Sequence, residues 1–230
     1  MTLILSITFF FTLILVSASI TNILKETEND NKSKANYKFS NYKENIKWNK
    51  EFLRSIEWKR YEEICTEYLK LKNCDATVTN IGADGGMDIK IKDKNGKLFA
   101  IGQCKSWSKP IGVSLIRELY GVMISENAEY SIFFTTSTFS LDAIDFAQNK
   151  KIILIDANEF IHEINKLNDF DRIKISILAT EGDYTTPTCV NCDEKMVKKI
   201  AHKGTDKENE FWGCINYPRC RKTMFIKSKI

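Results

Sequence analysis

Apolar residues recur along this chain in three rhythms, and each rhythm implies a different element. From Thr2 to Leu24 no charged residue interrupts a run that includes Phe9-Phe10-Phe11 and Leu13-Ile14-Leu15-Val16. Roughly 20 such residues cross a bilayer as a helix, so residues 1–24 are expected to form a transmembrane anchor. A cleaved signal peptide is the rival, because Val16-Ser17-Ala18-Ser19 offers small residues for cleavage, although no Lys or Arg precedes the run. Lys25, Lys32, Lys34, Lys38 and Lys43 follow it. The positive-inside bias then predicts a single-pass protein of the inner (cytoplasmic) membrane with its soluble domains facing the cytoplasm. Residues 25–50 are polar and lack a sustained period, as in a linker.

The second rhythm is helical. Trp58, Tyr61, Ile64, Cys65, Tyr68 and Leu69 recur at three- and four-residue intervals, predicting an amphipathic helix that opens the core. Further helices are expected over 113–124, over Leu141–Gln148 with Ser140 as cap, and over Asn158–Leu167. The third rhythm is the two-residue alternation of strands. It runs through Met87–Lys92 and is closed by a hairpin turn at Asp93–Gly96. Leu98–Cys104 reads as a strand buried on both faces, and Ala76–Thr79, Tyr130–Thr135 and Ile152–Ile155 as shorter ones. Strands alternating with helices in the later half imply an α/β fold with a central mixed sheet flanked by helices. Asp169 to Pro187 reads as a connector, continuing the last helix or packing on the core.

With 230 residues, the chain can hold one such core and one small accessory module. The net charge is only +4, but the segment from Cys189 onward carries ten Lys/Arg against five Asp/Glu, so the basic surface is gathered at one end. That end suits a polyanion. Four of the seven cysteines cluster there, while Cys65, Cys74 and Cys104 are scattered through apolar stretches. An odd count in this pattern fits metal binding better than a disulfide framework.

Asp88 opens one strand of the hairpin, and Gln103 and Lys105 lie two apart on the next, so their side chains leave one face of the sheet. Phosphodiester hydrolysis needs a hard cation on oxygen ligands, a poised water and positive charge against the transition state. Asp88 can anchor the cation and Lys105 supply the charge. The side chain of Cys104 alternates to the opposite face and reads as core packing.

Gly82-Ala83-Asp84-Gly85-Gly86-Met87-Asp88, Gln103-Cys104-Lys105 and Phe133-Phe134-Thr135-Thr136-Ser137-Thr138-Phe139-Ser140 resemble the Mrr-type family of restriction-endonuclease-like proteins, of the PD-(D/E)xK superfamily. Tyr61-Glu62 and Ile153-Leu154-Ile155-Asp156 extend the likeness over about residues 58–165. The resemblance implies a restriction-endonuclease-like nuclease domain over 51–168 that hydrolyses DNA with Mg²⁺. It implies that Asp88, Gln103 and the backbone carbonyl of Cys104 ligate the ion, that Lys105 positions or activates water, and that Glu62 supports the metal shell. Gln103 stands where related nucleases often carry a carboxylate, which lowers the site's negative charge and counts against a second metal.

After a connector over 169–186, Cys189-Val-Asn-Cys192 and Cys214-Ile-Asn-Tyr-Pro-Arg-Cys220 form two knuckles with four soft ligands for tetrahedral Zn²⁺. His202 lies between the knuckles, out of register with both. Phe211-Trp212-Gly213-Cys214, Asn216-Tyr217-Pro218-Arg219-Cys220 and Met196 resemble the C-terminal four-cysteine zinc finger of bacterial type IA DNA topoisomerases, placing a zinc module over 187–227. That likeness implies single-stranded DNA binding. Trp212 and Tyr217 interleave with Lys198, Lys199, Arg219, Arg221 and Lys222, which suits base stacking beside phosphate contacts. Phe225 reads as part of the small core of the module.

Together these features predict an Mg²⁺-dependent endodeoxyribonuclease with a DNA-binding zinc ribbon, acting on double- or single-stranded DNA in restriction or repair. A homodimer would supply two sites for two strands. The alternative is a catalytically inactive, membrane-tethered DNA-binding protein.

Overall fold

The computed structural model describes residues 46–79, 86–202 and 208–226. The chain enters through Trp48, which is buried and donates its indole N–H to Ser176 Oγ at 3.0 Å. Asn49 then caps α1 (Lys50–Ser55) by accepting from the Phe52 amide. The apolar stripe beginning at Trp58 forms α2 (Trp58–Leu71), which buries Tyr61, Ile64, Cys65, Tyr68 and Leu69.

β1 (Asp75–Val78), β2 (Ile89–Lys92) and β3 (Leu98–Lys105) form an antiparallel meander. Asp93 makes the β2–β3 turn by accepting from the amides of Asn95 and Lys97, with Gly96 at a φ of 76° that favours glycine. Two helical crossovers follow: α3 (Val113–Ser125) leads to β4 (Tyr130–Thr135), and α4 (Leu141–Ala147) to β5 (Ile152–Ile155). Both strands are added parallel, giving a mixed sheet in the order β1-β2-β3-β4-β5. α5 (Ala157–Asn165) and α6 (Asp169–Thr180) complete the core. The α/β core with a central mixed sheet flanked by helices is therefore as expected.

Period-two alternation divides the sheet between two apolar layers. Ala100, Cys104, Ile132, Phe134, Ile153 and Ile155 face α2, α5 and α6, where Tyr61, Tyr68, Phe134 and Phe160 meet edge to face. Ile101, Phe133, Ile152 and Leu154 face α3 and α4. The stretch read as a connector thus contributes a helix whose Ile175 and Ala179 belong to the first layer. Beyond it, β6 (Val197–Ile200), β7 (Glu210–Gly213) and β8 (Thr223–Phe225) form a separate antiparallel sheet.

The membrane expectation is corrected. Among the described residues no helix is long and apolar enough to cross a membrane. The longest, α2, has 14 residues and extends about 21 Å at ~1.5 Å per residue, short of a hydrocarbon core of about 30 Å. The transmembrane helix, the membrane as partner and the single-pass location at the cytoplasmic membrane are therefore not supported. The segment Thr2–Leu24 that prompted them lies outside the described residues, as do Gly82–Gly85 of the glycine-rich motif.

Candidate active site and metal centre

The β2–β3 hairpin brings Asp88 and the end of β3 together. Ile89 pairs with Gly102, which sets Asp88 across from Gln103. The Asp88 amide donates to the Gly102 carbonyl at 2.8 Å, and Asp88 Oδ2 accepts from the Cys104 amide at 2.7 Å. The carboxylate is thus held in place by the backbone of the strand that carries Gln103 and Lys105.

Gln103 is buried, and its side-chain oxygen Oε1 has no hydrogen-bond partner among the described residues. Its amide nitrogen fills the space beside Gly86, where a Cβ would lie 2.5 Å from Gln103 Nε2 and 3.9 Å from Glu118 Oε1. With φ at +86°, Gly86 is required both by its backbone and by the approach of this amide. Cys104 faces the opposite layer and is buried beside Cys65 and Tyr61, and burial pushes its thiol pKa up. Its side chain is core packing, as alternation implied.

Glu62, on α2, faces the same end of the sheet. Burial, followed by the negative charge of Asp88, raises its carboxyl from the ordinary 4.5 to about 9, while Lys105 pulls the other way. Glu62, Asp88, Gln103 and Lys105 therefore gather where β2 begins and β3 ends. Behind them Thr135 Oγ1 donates to the Lys105 carbonyl at 3.1 Å, and Thr136 Oγ1 and Ser137 Oγ brace the loop after β3 through the carbonyls of Trp107 and Ser108. The Thr-Thr-Ser run thus fixes the far side of the site.

In the metal-free chain, Glu62 stays protonated on folding at neutral pH and ionises on unfolding. Its contribution to stability is complete below pH about 4.5 and is lost as the pH rises toward about 9. Glu62→Gln, neutral throughout, should remove that slope. Without added Mg²⁺ but with zinc bound, thermal melts of variant and wild type should come together toward pH 4.5 and separate by several degrees in favour of the variant at pH 8. Parallel melting curves across this range would contradict the arrangement.

In the C-terminal module, the sulfurs of Cys189, Cys192, Cys214 and Cys220 all lie within 4.8 Å of one another. Cys189 Sγ and Cys220 Sγ are 3.8 Å apart, whereas a disulfide requires about 2.0 Å. A tetrahedral ion with bonds of about 2.3 Å has ligand edges of about 3.8 Å, so the donor set fits zinc. The Lys222 backbone amide lowers the Cys220 thiol to about 7, whereas burial raises that of Cys214 to about 12. The cluster is consistent with a structural zinc site, and His202 is outside it.

Of the residues proposed from sequence to touch DNA, Lys198, Tyr217, Arg219, Arg221 and Lys222 are exposed. Lys199 Nζ sits 4.8 Å from the Tyr217 ring centroid, and Lys198 Nζ 5.6 Å from that of Trp212. Trp212 itself packs against the cysteine cluster with Met196 and Met224. Phe225, expected in this small core, is instead 88% exposed on the outer strand. An open cleft of about 820 Å³ is lined by Lys198, Lys199, His202, Tyr217, Arg221 and Lys222. Sequence reasoning did not assign His202 to it, nor did it single out Trp107, 48% exposed two residues beyond Lys105. An aromatic residue two positions after the Gln-x-Lys stretch was the available signal.

Residues 53–164 match a family model of the Mrr catalytic type, described as a restriction endonuclease. The type IV methyl-directed restriction enzyme EcoKMrr of Escherichia coli (strain K12) is 35% identical over 81 residues, which is 34% of this chain and 27% of that enzyme. The match thus spans about a quarter of the length of that relative. Among solved structures, the DNA modification-dependent restriction endonuclease AspBHI aligns over 58% of this chain and 39% of its own at 15% identity, with a TM-score of 0.42. MspJI restriction endonuclease, solved with a 27-mer oligonucleotide, aligns over 58% of this chain and 34% of its own at 12% identity, with a TM-score of 0.37. The chain thus contains an Mrr-type restriction-endonuclease domain over residues 53–164, followed by a four-cysteine cluster able to hold a metal.

Proposed function

We propose that the chain is a metal-dependent endodeoxyribonuclease whose core, residues 51–168, cuts DNA held by the zinc ribbon at 187–227, with 169–186 joining the two. One observation carries this reading. A buried amide oxygen without a partner among the described residues, Gln103 Oε1, lies across the hairpin from a carboxylate fixed by backbone bonds, with Glu62 and Lys105 on the same site. Burying an amide oxygen unsatisfied costs about 1–3 kcal/mol, a cost that a cation at this point would remove.

Asp88, Gln103 Oε1 and the Cys104 carbonyl offer the oxygen donors a hard cation takes. Mg²⁺ bound there supplies positive charge against the transition state and a more acidic water. Lys105 contributes a second positive charge on the same side and can orient the attacking water. Glu62, held protonated without metal, can hydrogen-bond that water and accept a proton once its carboxyl ionises. The neutral amide at 103 leaves one carboxylate fewer, so a single ion suffices for this donor set. In the ribbon, Lys198, Lys199, Arg219, Arg221 and Lys222 take phosphates, and Tyr217 and Trp212 offer ring faces to bases.

The test is cleavage of supercoiled plasmid, methylated and unmethylated, and of single-stranded circles by the purified chain in Mg²⁺ or EDTA. Nicked or linear products in Mg²⁺ alone are expected. Intact DNA on every substrate, with zinc bound and DNA retained in a shift assay, would leave a DNA-binding protein without hydrolysis.

A further inference from the structure

The ribbon does not hang from the core. Glu57 caps α2 and is 6% exposed; its main chain bonds to Tyr184 and Tyr61, and ribbon residues supply most of its side-chain partners. Its Oε2 accepts from the Thr188 amide at 3.1 Å and from the Lys59 amide at 3.2 Å. Its Oε1 accepts from Thr188 Oγ1 at 3.1 Å and from Lys195 Nζ at 3.2 Å. Trp58 Nε1 donates to the Thr188 carbonyl at 2.7 Å, and Lys59 pairs with Asp193. These residues flank Cys189 and Cys192 directly, and the loop they share is closed by Cys189 N to Glu194 O at 2.8 Å and Met196 N to Pro187 O at 2.9 Å.

A buried carboxylate is tolerated only while its hydrogen bonds and counter-charge are present. Here Thr188 and Lys195 provide them, from a loop whose shape depends on two thiolates converging on one ion. If that loop loosens, Glu57 keeps only the Lys59 amide among these partners and must move toward water. It would take the first turn of α2 with it, and Glu62 lies five residues along the same helix.

We propose that Glu57 is a positioning residue: it makes metal occupancy of the four-cysteine cluster a condition for placing Glu62 in the nuclease site. The inference rests on the nuclease reading above for its consequence, but the mechanical link stands on the Glu57 contacts alone. Zinc in this chain therefore acts on the helix bearing a candidate catalytic group as well as on the ribbon.

Hydrogen exchange of the segment 58–66 in the full chain, with zinc bound and after its removal by a chelator, tests the link whether or not DNA is cut. In wild type, zinc removal should speed exchange there by about tenfold or more. In Glu57→Gln, with zinc still bound at one ion per chain, exchange should already be fast and insensitive to the chelator. Thr188→Val, which removes only the hydroxyl contact, should fall between them, and Glu57→Asp should restore part of the zinc response. Where cleavage is measurable, Glu57→Gln with zinc bound should lower kcat about tenfold and leave KM for DNA within about twofold. Exchange over 58–66 that ignores zinc in the wild type, or a variant altered in KM alone, would overturn the proposal. Absence of cleavage in wild type with a zinc-dependent segment 58–66 would instead remove the nuclease reading and keep the link.

Discussion

Asp88→Asn is expected to lower Mg²⁺-dependent cleavage by about a thousandfold or more, and Lys105→Ala by about a hundred- to a thousandfold. The Asn variant keeps an oxygen to accept the Cys104 amide, so the β2–β3 hairpin retains its 2.7 Å contact while the negative charge is lost. A fall in rate with an unchanged melting profile would then report on charge at the site and not on folding. Lys105 is half-buried at the end of β3, and its main chain is braced by Thr135 and Thr136, so truncating its side chain leaves the strand intact. Single-turnover cleavage separates the chemical step from product release. Cleavage by Asp88→Asn within tenfold of wild type would move the site elsewhere in the molecule.

Cys214→Ser should unfold the ribbon while leaving the sheet of the core standing. The apolar core of the module consists of the cysteines with Met196, Trp212 and Met224, far too little to order a segment of this size by burial alone. Structural zinc contributes about 10–16 kcal/mol in small zinc-finger peptides at neutral pH, and one missing thiolate forfeits a large part of that. Metal analysis should show zinc lost, and limited proteolysis should cut within 187–226 and spare α3 through β5. DNA affinity should fall at least tenfold, because the basic side chains and Tyr217 are then no longer held on one surface. Unchanged protease resistance in that segment would mean that the ribbon needs no metal.

The hairpin of the candidate site was legible in the sequence because its signals are local. Alternation through Ile89–Lys92 and Leu98–Lys105, with Asp93 and Gly96 in the turn between them, leaves one register that buries Ile89 and Ile101. The cap Ser140 and the stripe on α2 were legible for the same reason. α6 was not, because Ile173, Ile175 and Ile177 alternate with polar residues as a strand would. The helix prevails through the Asn168 cap, whose side chain accepts from the Asp171 amide at 2.9 Å, and through packing in the layer under α2. α1 has six residues, too few for a period to show. The docking of the ribbon was beyond sequence reasoning altogether, because it depends on contacts between residues 131 apart, such as Glu57 and Thr188. Phe225 was misplaced because a three-stranded sheet has only one inward face, and its neighbour Met224 takes that face on β8, which turns Phe225 away from the cysteines.

The order of strands across the sheet, β1 to β5, repeats their order along the chain. During folding, each new strand therefore docks on the one made just before it, and the connections to be closed are residues 79–88, the five residues 93–97 or a segment holding a single helix. The hairpin bearing Asp88, Gln103 and Lys105 can assemble from nearby residues early, whereas the Glu57–Thr188 contact must wait for the last part of the chain. On a ribosome, the strands of the candidate site would thus be paired before the cysteines of the ribbon emerge, and the later contact would join the start of α2 to the ribbon.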